Sequence, residues 1–252
     1  MKRSVLIIFL LCLIYTMTEN KAQGQLWKLK RWETVVGLGP SFFFGDIGGY
    51  TQGENLLGFK DLSFNQTRFN FNFNLKYRIS NNFNARLSLT YAFFHASDVK
   101  GSNENRDFEA TMSGFEPALL FEYYFIKNRA ESSYLFSKGR GTGFGNVLRS
   151  LDFYAFTGMG GLAYTIKGKD KLINHGLDPG GFNAVIPVGI GTTLIYSPNY
   201  NFGLEFGGRY SFSDNLDGYT SQYSNSNDVY YFLNFTVTYK LKTGPKGWPS
   251  FR

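Results

Sequence analysis

Residues 68–79 read Arg-Phe-Asn-Phe-Asn-Phe-Asn-Leu-Lys-Tyr-Arg-Ile, polar and apolar in strict alternation. Successive side chains of an extended chain point to opposite faces. Phe69, Phe71, Phe73, Leu75, Tyr77 and Ile79 therefore share one face, and Arg68, Asn70, Asn72, Asn74, Lys76 and Arg78 share the other. A half-buried strand of a soluble protein has the same period. Such strands average about 5–6 residues, however, and rarely carry an unbroken aromatic row of this length. A strand of ~9–11 residues, tilted by about 45°, is what crosses a bilayer in a closed barrel.

The pattern recurs along the chain. Residues 32–44 set Trp32, Thr34, Val36, Leu38, Pro40, Phe42 and Phe44 against Glu33, Gly37, Gly39 and Ser41. A third strand sets Leu87, Leu89, Tyr91 and Phe93 against Arg86, Ser88 and Thr90. A fourth, 113–125, sets Phe115, Leu119, Phe121 and Tyr123 against Glu116 and Glu122. The fifth, 151–164, is blurred by Gly158, Gly160 and Gly161, although Tyr154, Phe156, Leu162 and Tyr164 share one parity. Strands at 184–196, 202–212 and 229–241 complete the set, with Glu205 and Arg209 facing away from Phe202, Leu204 and Phe206, and Lys240 facing away from Tyr239 and Leu241. The fold class that follows is all-β: an eight-stranded antiparallel up-and-down transmembrane β-barrel, the even count expected of a bacterial single-chain barrel. Connections at 45–66, 95–111, 165–183 and 213–227 are long, while 80–82 and 197–201 are short. With both ends in the periplasm the long ones fall outside the cell. The connection 126–150 lies on the short-turn side yet is long, which calls for a reason.

Composition agrees. Aromatics make up 19% of the chain, with 27 Phe and 17 Tyr, against only 18% charged residues. Mean hydropathy is −0.22, because alternation hides an apolar wall inside a neutral average. Lys2 and Arg3 followed by the apolar run Val5 to Tyr15 and then Ala22 read as a signal peptide over 1–22, leaving 23–252 as one barrel with a basic periplasmic tail at 242–252. That apolar run is too short for a spanning helix, which needs ~20 residues. The sole cysteine, Cys12, lies inside it. The expected mature chain then has no thiol for a disulfide, a nucleophile or a metal. A net charge of +7 does not by itself imply nucleic acid.

Glu33, Arg68, Lys76, Arg78, Arg86, Glu116, Glu122, Glu205, Arg209 and Lys240 all fall on inward faces. They make either a charged conduit or an ion-pair network that fills a narrow lumen, and eight strands leave room only for side chains. His95, with Ser97 and Asp98 nearby, and His175 raise the thought of a lipid-modifying enzyme. Neighbours within one loop are no evidence that a base and a nucleophile meet in space. Asp214, Asp217 and Asp228 match no calcium-loop spacing and read as solvated turn residues. The glycine run at 139–145 lacks the Lys-Ser/Thr ending of a phosphate loop. No catalytic residue, metal or cofactor is expected. Lys127, Arg129, Lys138, Arg140 and Arg149 in 126–150, with Lys242, Lys246 and Arg252 in the tail, give the periplasmic side a basic rim interleaved with Tyr134, Phe136 and Trp248. These residues are either solvated turn and tail or a surface that docks a periplasmic partner.

Four stretches carry a resemblance. Gly45-Asp46-Ile47-Gly48-Gly49, Ile186-Pro187-Val188-Gly189-Ile190-Gly191, Asn201 to Arg209 and Phe212-Ser213-Asp214-Asn215-Leu216-Asp217 are similar to elements of the PorG-like outer-membrane barrels of Bacteroidetes. That family is a component of the type IX secretion system. The resemblance implies a non-enzymatic outer-membrane barrel, in contact with outer-membrane lipid and with a periplasmic ring of lipoprotein and associated secretion subunits. The long 126–150 connection departs from the family pattern. The competing expectation is an adhesion or envelope-integrity barrel that acts through its extracellular loops.

Overall fold

The computed structural model describes residues 29–45, 47, 65–99, 106–127, 150–213, 215–219, 227–244 and 247–250. The expected signal peptide lies outside the described residues. Strands β1 (Trp32–Phe44), β2 (Arg68–Arg78), β3 (Phe83–Ser97), β4 (Glu109–Ile126), β5 (Leu151–Gly168), β6 (Gly180–Ile195), β7 (Tyr200–Ser211) and β8 (Val229–Thr243) pair in chain order, all antiparallel. β8 returns to β1, with Val36 opposite Phe73 on one side and Val237 on the other. The sheet is thereby closed and has no free edge within the wall. A short helix, α1 (Asp170–Asn174), lies in the connection after β5.

The sequence sets both periplasmic hairpins. Ser80 Oγ accepts the Phe83 N–H at 3.2 Å, and Ser197 Oγ accepts the Tyr200 N–H at 3.0 Å, the local side-chain bond that makes serine a turn residue. β2 alternates as its sequence predicts, with Asn70, Asn72 and Asn74 buried and Phe69, Phe71 and Phe73 exposed. The asparagines also have a structural task. Pro40 has no N–H to give to β8, and the β1–β8 ladder passes from Leu38↔Phe235 to Ser41↔Phe232. Asn70 Nδ2 donates to Gly39 O at 3.0 Å and to Pro40 O at 3.3 Å, giving the β1 carbonyls beside the gap a side-chain donor.

β5 corrects a reading left open by its glycines. Tyr154, Phe156, Leu162 and Tyr164 point into the lumen, not into lipid. Their inward parity is possible because the opposing positions of β6 are glycines, Gly191 opposite Tyr154 and Gly189 opposite Phe156. A Cβ at either glycine would stand 2.4–2.5 Å from the ring carbons, so any larger residue would expel the aromatic ring.

Strands of 11 to 18 residues are longer than the span requires. The excess lies at the outer end, where the interior changes character. Phe43, Phe94, Phe108, Met112, Ile166, Tyr230 and Phe232 form one buried apolar cluster with Ile47, Leu172 and Leu216 of the outer loops. Phe94 packs at 5.1 Å from Tyr230 and 5.9 Å from Phe232. The barrel is plugged by its own outer core.

Candidate functional site

Below that plug the lumen is ionic. Arg86 Nη1 lies 2.6 Å from Glu205 Oε1 and 3.1 Å from Glu122 Oε1, while Lys76 Nζ lies 2.8 Å from Glu122 and 3.7 Å from Glu205. Tyr154 donates its hydroxyl to Glu205, and Asn84 and Tyr124 donate to Glu122. One layer toward the outside, Arg209 Nε reaches Glu116 at 3.3 Å, and Tyr230 donates to the same carboxylate at 2.7 Å. At the periplasmic mouth Arg78 and Glu33 are 3.6 Å apart, beside Asp152 and Lys240. Buried charges persist only when each is paired and hydrogen-bonded. Each carboxylate draws its cation from another strand, which meets the pairing condition, while Arg86 Nε and Asn84 Oδ1 stay without a hydrogen-bond partner.

Eight of the ten expected lumen charges are buried in this way. Lys240 is half-buried at the mouth. Arg68 is the exception: as the first residue of β2 it sits at the outer rim, and its guanidinium donates to Asn65 O and Thr67 O. The apolar plug occupies the lumen at that height, and Arg68 has no ion pair with a carboxylate among the described residues. The tyrosine partners Tyr124, Tyr154 and Tyr230 were missed by sequence reasoning.

The outer face is the reverse of the lumen. Phe69, Phe71, Leu119, Phe121, Ile190 and Phe235 are exposed on it, and tyrosines and tryptophan (Trp32, Tyr77, Tyr123, Tyr200, Tyr239) line its periplasmic end. An apolar surface that surrounds a closed barrel far exceeds the patches that soluble monomers tolerate, and an aromatic border at the water boundary is the mark of a spanning barrel. The chain is an outer-membrane β-barrel. No family model matches it, and no curated protein does. Among solved structures it is similar to the N-terminal β-barrel domain of Pseudomonas aeruginosa OprF, with 11% identity, 84% of this chain and 98% of that chain covered, and a TM-score of 0.42. It is also similar to a major outer membrane protein from Thermus thermophilus (12%, 83% and 99%, 0.44) and to the attachment invasion locus protein Ail of Yersinia pestis (12%, 84% and 97%, 0.40). Likeness at these values carries no argument about the barrel's activity.

The histidines do not assemble a catalytic set. His95 points outward and meets Thr111 Oγ1 at 3.3 Å and Glu109 Oε1 at 3.7 Å. Asp98 turns inward, where it holds Arg106 at 2.7 and 2.9 Å and accepts the Phe108 N–H. Ser97 Oγ caps Val99. His175 packs edge-on against Phe108 at 5.2 Å. Lys171, donating to Asp107 at 2.9 Å, holds that exposed carboxyl below the usual range.

Asp217 and Asp228 are buried rather than solvated. Asp217, fully buried, accepts the Ile47 N–H at 2.9 Å and the Tyr219 N–H at 3.0 Å, and Asp228 accepts the Leu216 N–H at 2.7 Å. Ile47 and Asp217, from two separate outer connections, therefore meet and brace the outer plug. Asp214 lies outside the described residues.

Of the expected docking residues, Arg129, Tyr134, Phe136, Lys138, Arg140, Arg149, Lys246 and Arg252 lie outside the described residues. Lys127 folds back onto the barrel, donating to Asn81 O above the Tyr124 ring. The tail is not a free arm. β9 (Pro249–Ser250) pairs with Lys242 and Thr243, and Trp32 Nε1 donates to Gly247 O at 2.9 Å. Lys242 and Trp248 remain exposed on this hairpin.

Ion pairs below and rings above fill the described part of the lumen with side chains. In planar bilayers the purified barrel should give no stable open level. Reproducible ohmic steps would identify a conduit and overturn the reading of the network as packing.

Proposed function

We propose that the barrel is a non-enzymatic outer-membrane anchor for a protein-secretion machine of the type IX kind, docking periplasmic ring subunits at its periplasmic end. The filled lumen carries this reading. A barrel packed with paired charges and capped by an aromatic plug has its two rims left as working surfaces. Among the described residues of the outer rim, Asp98, Asp217 and Asp228 are spent on bracing it. The periplasmic rim presents Lys242 and Trp248 on a hairpin fixed to β1 and β8, and a fixed aromatic beside basic groups is the composition of a docking anchor.

The test is capture of partners by the tagged barrel from mildly solubilised membranes. Wild type should recover periplasmic ring subunits. Lys242→Glu with Lys246→Glu and Arg252→Glu should weaken that recovery roughly tenfold at low salt and less at high salt. Recovery of no such subunits, with secretion intact after deletion, would sink the proposal. Loss of a surface phenotype on removing 213–227, with the tail variant silent, would place the function in the outer loops instead.

A further inference from the structure

We propose that the β4–β8 side of the wall seats one acyl chain of a membrane lipid in a fixed groove. The groove, of about 870 Å³, runs along the outer face from Phe83, the first residue of β3, to Val229, the first residue of β8. It thus passes diagonally from the periplasmic end of the wall to the outer end. Its course follows the ladder: Thr157, Val188, Gly208 and Tyr231 are successive partners across four strands, and Ala155 and Phe206 lie in the next row.

The shape has a sequence cause. Pro117 of β4 and Pro187 of β6 both lie beside the glycine segment of β5. There the β4–β5 ladder passes from Phe115↔Ala163 to Ala118↔Gly160, and the β5–β6 ladder from Thr157↔Val188 to Gly160↔Val185. Both prolines pair on their far side, with Leu89 and Arg209, while the pairing to β5 skips them, and the glycines add no side chain to pack there. Alongside this segment, Ala155, Thr157 and Gly208 supply little bulk to the outer face, while Phe121, Phe206 and Tyr231 stand up around them. Phe206 and Tyr231 stack at 5.7 Å with rings 7° apart, so the groove has a flat aromatic flank.

The occupant follows from the surroundings. The groove is continuous with the lipid-facing wall, and its exposed lining is mainly apolar; Glu122 and Arg209, which also border it, are buried and pair in the lumen, so water does not fill it. An empty groove would forfeit the dispersion contacts of every lining atom. Its volume falls within the ~300–1,000 Å³ of small-molecule sites. Hydrocarbon is the one material at hand in that layer, and a flexible chain fits a narrow diagonal track better than a second rigid barrel does.

The test is native mass spectrometry of the full chain in mild detergent, loaded with dipalmitoyl phosphatidylethanolamine and then stripped stepwise. Wild type and Thr34→Phe, on the β1 wall, should each retain one lipid. Ala155→Leu with Thr157→Phe, which fills the groove, should lower retention about tenfold. Shedding by wild type as readily as by the filled variant overturns the proposal, and so does displacement of lipid by a second copy of the chain. Should the filled variant fail to fold, spin-labelled phosphatidylethanolamine around wild type decides the matter. A motionally restricted population of one lipid per barrel supports the seat, and its absence overturns it.

Discussion

Replacing Arg86 by methionine should cost about 3 kcal/mol of unfolding free energy, because it strands buried carboxylates rather than merely deleting a contact. Arg86 is almost wholly buried and is shared between Glu205 and Glu122. Without it, Lys76 alone faces both acids, one of them 3.7 Å away. Glu205→Gln should cost a similar amount for the opposite reason, leaving Arg86 and Lys76 to share Glu122. The double variant removes one charge of each sign and retains the 2.8 Å Lys76–Glu122 pair. It should lose only about 1 kcal/mol, since an ion pair replaced as a unit costs far less than a broken one. The coupling in the double-mutant cycle would then be large, beyond the ~0.5 kcal/mol scatter of independent sites. Urea unfolding of the barrel folded into phospholipid vesicles supplies the four values. Additive losses would mean that the four residues do not act as a network.

The same residues show what the sequence could and could not reveal. Period-two alternation is imposed by the solvent on each face, so wherever lipid lies on one side and ion pairs on the other it survives in the sequence. β1 and β2, and the inward placement of Glu116, Glu122, Glu205 and Arg209, were legible for that reason. Alternation fails where both faces are apolar. The runs Phe42-Phe43-Phe44, Phe93-Phe94 and Tyr230-Tyr231-Phe232 belong to strand ends that carry lipid-facing rings on one side and the outer plug on the other. Those doubled aromatics were the available signal for the plug. β5 was obscured differently: its inward rings depend on glycines supplied by β6, a pairing that no single strand records. Asp217 and Asp228 were misread because a buried carboxylate that accepts backbone N–H groups has the same local sequence as a wet turn. Tail and rim were legible as charge alone, since only tertiary structure shows the hairpin bonded to Trp32.

The loop clamp gives the second large effect. Asp217→Ala should leave the buried Ile47 N–H without an acceptor and remove two charge-assisted hydrogen bonds, each worth about 1.5–3 kcal/mol. The loss falls on the outer plug rather than on the wall, whose ladders do not involve Asp217. Amide exchange at Ile47 and Tyr219 should therefore accelerate by roughly two powers of ten, while amides of β2 and β7 stay protected. Asp217→Asn should recover little, because one of its two acceptor positions becomes a donor facing an N–H. Gly45→Ala gives an independent route to the same opening. A Cβ there would lie 2.8 Å from both the Asp217 and Asp228 carboxylates and 2.6 Å from the Phe43 ring, so the clamp must spread to admit it. Unchanged exchange at Ile47 in both Asp217→Ala and Gly45→Ala would show that the plug is held by its apolar packing alone. Accelerated exchange in both, with an intact wall, would make the buried aspartates the feature that holds Ile47, Leu216 and Tyr219 onto the plug.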